Sequence, residues 1–294
     1  LSIKKALFLI LTGTIILGML SSQLHAKEHA STTETKKIES SGEKEVRVQI
    51  DIGVAVIDLQ KNNSGNILDA EMEYDPNQIK VQADYHKFND KGKLFLESDT
   101  KDRDLDLDLE DNYWKLEFGD QVPLSFDIDV GACEADFDFT GLTIDDLQID
   151  VGASSVETEF RKPNSHRISE INLDVGASKL ILNSLGNANF EKLIFDGGAG
   201  DFTLDFSGDF NHSAEVNIDI GLGSLSILVP KDAGIQIKKE SSFLASFSLD
   251  EDEFEEVEDD LYQNKNFGKT KKELIFNIEV GLGSVKVEYA DESL

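Results

Sequence analysis

Apolar and polar residues alternate along most of this chain, in stretches that each centre on a glycine. Aligned on that glycine, QIDIGVAVIDL surrounds Gly53 and DIDVGACEADF surrounds Gly131. QIDVGASSVET, NLDVGASKLIL, IFDGGAGDFTL, NIDIGLGSLSI and NIEVGLGSVKV follow at Gly152, Gly176, Gly198, Gly221 and Gly281. The five central glycines lie 21 to 24 residues apart. Before the glycine the apolar positions are every second one, as in Phe126, Ile128, Val130 or Val216, Ile218, Ile220. After it the alternation resumes, as in Ala135, Phe137, Phe139 or Leu225, Ile227, Val229. A period of two with one apolar face predicts half-buried β-strands, and helical spacing does not fit.

Each unit therefore reads as strand, glycine kink, strand and short turn, with Thr140-Gly141 and Ser207-Gly208 as turn signals. A unit of this size cannot bury its apolar face alone, whereas stacked copies share a continuous core. The fold class predicted is all-β: a parallel β-solenoid of about 22-residue glycine-cornered repeats with an amino-terminal β cap. An antiparallel β-sandwich bent at each glycine is the alternative, because alternation does not reveal strand direction. Two positions after the corner stand Ala55, Cys133, Ser154, Ser178, Gly200, Gly223 and Gly283, all small, so this slot faces a crowded corner. Cys133 reads there as a small buried residue rather than a reactive thiol.

The segments around the repeats divide the chain. Residues 1–26 read as a secretory signal peptide: Lys4 and Lys5, an apolar run from Ala6 to Leu20, and small residues up to Ala26. An uncleaved anchor is the other reading, and only then is membrane association expected. Residues 27–44 read as a flexible tether, 45–121 as an amino-terminal β region and 122–237 as the repeat core. An acidic excursion, 238–272, precedes a carboxy-terminal β coil, 273–290. Within the excursion, LDEDEFEEVEDDLY (Leu249–Tyr262) sets Phe254, Val257 and Leu261 among acids; it reads as a solvated insertion holding one short helix, with a docking element for a basic or apolar partner as the alternative. Asp104–Glu110 alternates leucine with carboxylate, a strand pattern rather than a catalytic pair.

Charge narrows the function. With 58 acidic against 28 basic residues, the net charge is −30, which repels a phosphate backbone and excludes nucleic acid as a natural partner. The single cysteine leaves no intramolecular disulfide framework for an exported chain. His29, His86, His166 and His212 lack metal-ligand spacing. The run Asp196–Asp201 leads into a strand and lacks the lysine of a phosphate loop, and Gly152–Ser155 lacks the second glycine of a nucleophile elbow. No enzyme is expected, and no cofactor. One column could bind something: Asp129, Asp150, Asp174, Asp196 and Asp219, with Asp51 and Glu279, stand two before each corner and point away from the core. Stacked, they form a ladder whose repulsion is relieved either by corner amides donating to each carboxylate or by Ca²⁺ bridging neighbours.

Two stretches carry a family resemblance. Val216–Ile237 (VNIDIGLGSLSILVPKDAGIQI) and Ile275–Tyr289 (IFNIEVGLGSVKVEY) resemble the carboxy-terminal domain of LiaF-like cell-envelope stress-response proteins. Val46–Gln82 resembles the amino-terminal part of the toast-rack domain family, and adhesin-type domains of bacterial surface proteins share the same glycine-punctuated style. The resemblance implies a non-catalytic, extracytoplasmic β-solenoid in the periplasm or at the cell surface. It would bind or sense an envelope protein or surface ligand, or serve as an adhesin-like structural module.

Overall fold

The structure is a computed structural model that describes residues 31–101, 112–240 and 245–290. The apolar run of residues 6–20, His29 and the Asp104–Glu110 pattern lie outside them. Seven long strands carry the glycine phrases: β2 (Glu45–Lys61), β7 (Leu124–Asp138), β8 (Ile144–Glu159), β9 (Ile168–Asn183), β10 (Phe190–Asp205), β11 (Ser213–Val229) and β16 (Glu273–Tyr289). They lie side by side in that order, every pair parallel. The fold is thus the stacked, parallel solenoid, and parallel pairing throughout the stack removes the antiparallel sandwich.

Burial in each strand slips by one residue at the corner. In β7 the buried positions are 124, 126, 128 and 130, then 133, 135 and 137, so Gly131 and Ala132 both face outward. The slip lets each half-strand keep its apolar side toward one interior while the chain turns. Phe126, Phe137, Phe139 and Phe160 fill that interior, with Phe126 edge-on to Phe118 at 5.0 Å and Phe139 stacked on Phe160 at 5.2 Å. Buried asparagines replace strand pairing where coils return. Asn164 Oδ1 accepts from the Ile144 amide at 3.0 Å while its Nδ2 donates to the Ile144 carbonyl at 2.7 Å.

The corner glycine is required by the neighbouring coil. A Cβ on Gly152 would sit 2.4 Å from the Gly131 carbonyl oxygen, and one on Gly176 would sit 2.4 Å from that of Gly152. In the last coils a second glycine joins: Gly223 and Gly283 take φ of +146°, where a side chain is strained.

Both ends of the stack are closed by a split coil. At the amino-terminal end β5 (Lys91–Thr100) pairs with the first half of β2, and β6 (Asn112–Phe118) with its second half, both parallel. Antiparallel strands cover these: β4 (Ile79–Phe88) on β5, and β3 (Leu68–Tyr74) with β1 (Thr32–Ile38) on β6. At the other end β12 (Gly234–Lys239) pairs with the first half of β16, and β13 (Ser246–Ser248) with its second half. β15 (Leu261–Asn264) and β14 (Phe254–Glu258) extend β12.

Three expectations are corrected by this arrangement. Residues 27–44 are not wholly a tether, because Thr32–Ile38 is the edge strand β1, held by seven register partners on β3 with Ile38 buried. Glu43 is buried too, and burial works against its charge. Hydrogen bonds from the Ser41 amide and hydroxyl, both 2.7 Å, outweigh that and hold the carboxyl at about 2. The run 249–262 holds no helix among the described residues: Asp260, at φ +62°, closes the two-residue turn of the β14–β15 hairpin. The excursion is a cap rather than a solvated loop, and it begins within β12, so the boundary at 237/238 cuts a strand.

Candidate functional site

Parallel register carries the aspartate column through the whole stack. Asp51 is paired with Asp129, Asp129 with Asp150, Asp150 with Asp174, Asp174 with Asp196, Asp196 with Asp219, and Asp219 with Glu279. All point outward beside the corner, one per coil, at the strand spacing of about 4.8 Å. Of the two devices expected to relieve their repulsion, amide capping does not occur. Among the described residues no hydrogen bond or ion pair reaches the side-chain carboxylate of Asp51, Asp129, Asp150, Asp174, Asp196 or Asp219. Burial, then the Asp150 and Asp127 charges, push the Asp129 carboxyl above its ordinary value. Burial and Asp174 do the same to Asp150, and burial followed by Glu279 and Asp196 to Asp219. Asp51 is raised by burial, Asp129 and Asp99. Among the described residues no three His, Cys, Asp or Glu side chains gather as a metal-binding group.

A second acidic feature, which the sequence reading missed, lies on the face after the corner. Asp58, Asp136 and Glu157 are register partners five residues past their glycines. With Tyr113, Lys179 and Ile181 they line an open groove of about 390 Å³. Asp136 is pushed up by burial and then by Asp58 and Glu157. The signal was present, an acid at the same offset in three successive copies, but attention to positions before the glycine passed over it.

The remaining candidates separate. Phe254 is buried, stacked on Tyr289 at 5.8 Å, and cannot meet a partner. Leu261 is half-buried in β15, and Val257 alone of the three stays exposed. Cys133 is buried, and burial pushes its thiol up to about 12. Asp196–Asp201 is continuous strand within β10, and a Cβ on Gly200 would lie 1.8 Å from the Ser178 carbonyl oxygen. His166 Nδ1 lies 2.6 Å from Asp145, His212 Nε2 2.8 Å from the Phe190 carbonyl, and His86 packs edge-on to Phe95.

The model for the N-terminal domain of toast_rack, DUF2154, matches residues 26–169 and again 162–228. The chain belongs to the toast-rack family. That the same model fits two overlapping parts of a toast-rack chain agrees with coils that repeat one unit. Among solved structures, a candidate cell-adhesion protein from Clostridium sporogenes is similar at 19% identity and a TM-score of 0.49, covering 89% of this chain and 100% of its own. A candidate adhesin from Bacteroides fragilis gives 13%, 0.36, 88% and 97%. A candidate lipid-binding protein from Parabacteroides distasonis gives 11%, 0.34, 88% and 97%. No curated protein matches the chain.

Proposed function

We propose that this toast-rack chain is a non-catalytic, adhesin-like binding module of the bacterial cell envelope, exported and displayed outside the cytoplasm. The observation that carries the reading is the register of its outer face. Seven coils present the same side-chain position at one fixed spacing, with a carboxylate at each. Such a rigid, periodic, anionic surface suits an extended ligand that repeats its own cationic or hydrogen-bonding groups, an envelope protein or a surface polymer. Function carried by columns rather than a pocket also fits a family built from repeated coils.

The test is capture. Beads carrying the full chain are mixed with intact bacterial cells and with isolated wall and membrane fractions. Saturable capture is expected, and it falls in the triple variant Asp129→Asn, Asp150→Asn, Asp174→Asn, whose melting temperature is not reduced. Absence of capture on every envelope fraction, or turnover of an envelope polymer by the chain, overturns the reading. A sensing role like that of LiaF-like proteins is the second reading, favoured by β11 and β16, the two similar Gly-Leu-Gly strands, lying directly against each other. A chain whose loss alters the response to envelope stress while leaving attachment intact would be a sensor.

A further inference from the structure

The open groove on the face after the corner runs between two rows of side chains. One row leads in register from Tyr113 on β6 to Lys179 on β9, and the other from Asp58 on β2 to Ile181 on β9. The groove, of about 390 Å³, therefore crosses β6, β2, β7, β8 and β9. Four strand spacings make it about 19 Å long, parallel to the stack.

Its floor is sheet that is paired on both sides, so a ligand meets side chains and cannot join as an added strand. The pitch decides between extended ligands. A peptide turns the same face every second residue, about 6.8 Å, and drifts out of step with coils about 4.8 Å apart. A sugar ring in an extended linear polysaccharide advances by about one coil. The charge in the groove is uncompensated. Among the described residues no hydrogen bond or ion pair reaches the side-chain carboxylate of Asp58 or Asp136. The bases near them are engaged elsewhere: Lys115 lies 3.3 Å from Glu117, and Arg161 is held by Asp138 and Glu159. Tyr113 is half-buried, and it sets an aromatic ring at the same end as Asp58, suited to the apolar face of a sugar and to an ammonium.

We propose that this groove binds a linear polysaccharide with free amino groups, lying along the stack with about one sugar to a coil. Its ammonium groups meet Asp58 and Asp136, and one ring packs on Tyr113. Lys179 ends the anionic stretch at β9, so a tetramer is long enough to fill it. The proposal deepens the adhesin-like reading, on which it rests for a surface polymer as ligand, and places that ligand on a different face from the aspartate column.

The experiment is isothermal titration of the full chain with the β-1,4-linked glucosamine tetramer at about 0.15 M salt, where attraction to distant charges is screened. Saturable binding is expected. The N-acetylated tetramer, which keeps the shape without the charge, and tetralysine, which keeps the charge without the sugar, should each bind about tenfold more weakly or worse. Asp58→Asn with Asp136→Asn should lose about tenfold, and so should Tyr113→Ser, while Tyr113→Phe keeps most of the affinity. Circular dichroism checks each fold, and the carboxamide pair, which removes repulsion, serves if Tyr113→Ser does not fold. Glu255→Gln with Asp259→Asn, which removes equal charge from the end cap, should bind as the parent. No binding, tetralysine binding as well as the sugar, or equal losses in the groove and cap variants overturns the proposal. Cell capture that depends on the aspartate column but ignores the groove variants would overturn it alone and leave the adhesin-like reading standing.

Discussion

Two glycines that read alike in the sequence should respond oppositely to alanine. At Gly152 the added methyl would lie 2.4 Å from the Gly131 carbonyl oxygen, where ordinary contact begins near 3.4 Å. The mismatch is about one ångström, and it falls against backbone that is fixed in the ladder on both sides. Opening the two coils by that amount sacrifices about two backbone hydrogen bonds at about 1 kcal/mol each, with strain added. Gly152→Ala should therefore cost about 2–4 kcal/mol. At Gly53 the neighbour is β5, not another glycine corner, and the nearest atom to the new methyl is the Ser98 carbonyl oxygen at 3.8 Å. Gly53 does not take positive φ, so alanine there is unstrained and should stabilise by about 0.4–1 kcal/mol through the unfolded chain. The assay is urea unfolding followed by far-ultraviolet circular dichroism, with thermal melts alongside. At 2–4 °C per kcal/mol for a chain of this size, Gly152→Ala should melt roughly 10 °C lower and Gly53→Ala slightly higher than the parent. Equal losses at both sites would mean that the corner needs glycine for its own backbone conformation. Tolerance at Gly152 would mean that the coils are not in close contact there. Either result refutes the account given of the corner.

Other outcomes follow from the charges. Asp150→Asn should raise the melting temperature at pH 7 and low salt by the equivalent of about 0.5–1 kcal/mol. Because the folded carboxyl is raised above its ordinary value, that gain should vanish as the pH falls through it to below 3.8, and also on adding salt. Glu43 has the reverse sign: held at about 2 in the fold, it stabilises above its ordinary 4.5, and the contribution disappears as the pH falls toward 2. Glu43→Gln should cost on the order of 2 kcal/mol at pH 7 and almost nothing near pH 2, read from unfolding curves at the two pH values. Millimolar Ca²⁺ and matched Mg²⁺ should raise the melting temperature equally and modestly by screening the carboxylate column. A rise of several degrees specific to Ca²⁺ would show a bound ion instead.

The coils were legible because all but one repeat the same apolar–acid–apolar–glycine phrase, the Gly198 coil having Gly197 in the second apolar place, and that phrase is dictated by contact between neighbours of the same kind. The ends were not, for the same reason. β5 and β6 together make one coil, but KGKLFLESDT and NYWKLEF share no glycine corner and are separated in sequence. β12 and β13 do the same at the far end, with GIQIKK and SFS. The strand β1 has the composition of a linker, TTETKKI, since an edge strand exposes most of its residues and needs only Ile38 buried. In the acidic run, Phe254, Val257 and Leu261 recur at near-helical spacing, yet the tight turn at Asp260 decides in favour of a hairpin. The aspartate column was placed correctly. Of the two devices expected to relieve it, amide capping was misjudged, because sequence gives the direction of a side chain and not which amides lie within its reach.

The position of β16 has a consequence for the order of events when the chain is made. This strand follows β12 and β13 along the chain, yet it lies inside the stack, between β11 on one side and the end cap of β12 and β13 on the other. A chain that emerges amino end first can zip coil onto coil as far as β11 and then must wait. The cap exists by then but has no coil to rest on, and β11 shows a bare flank until β16 arrives. One late step therefore inserts β16 and seats the cap together. A chain cut short before β16 would lose both the strand and the seat of its cap.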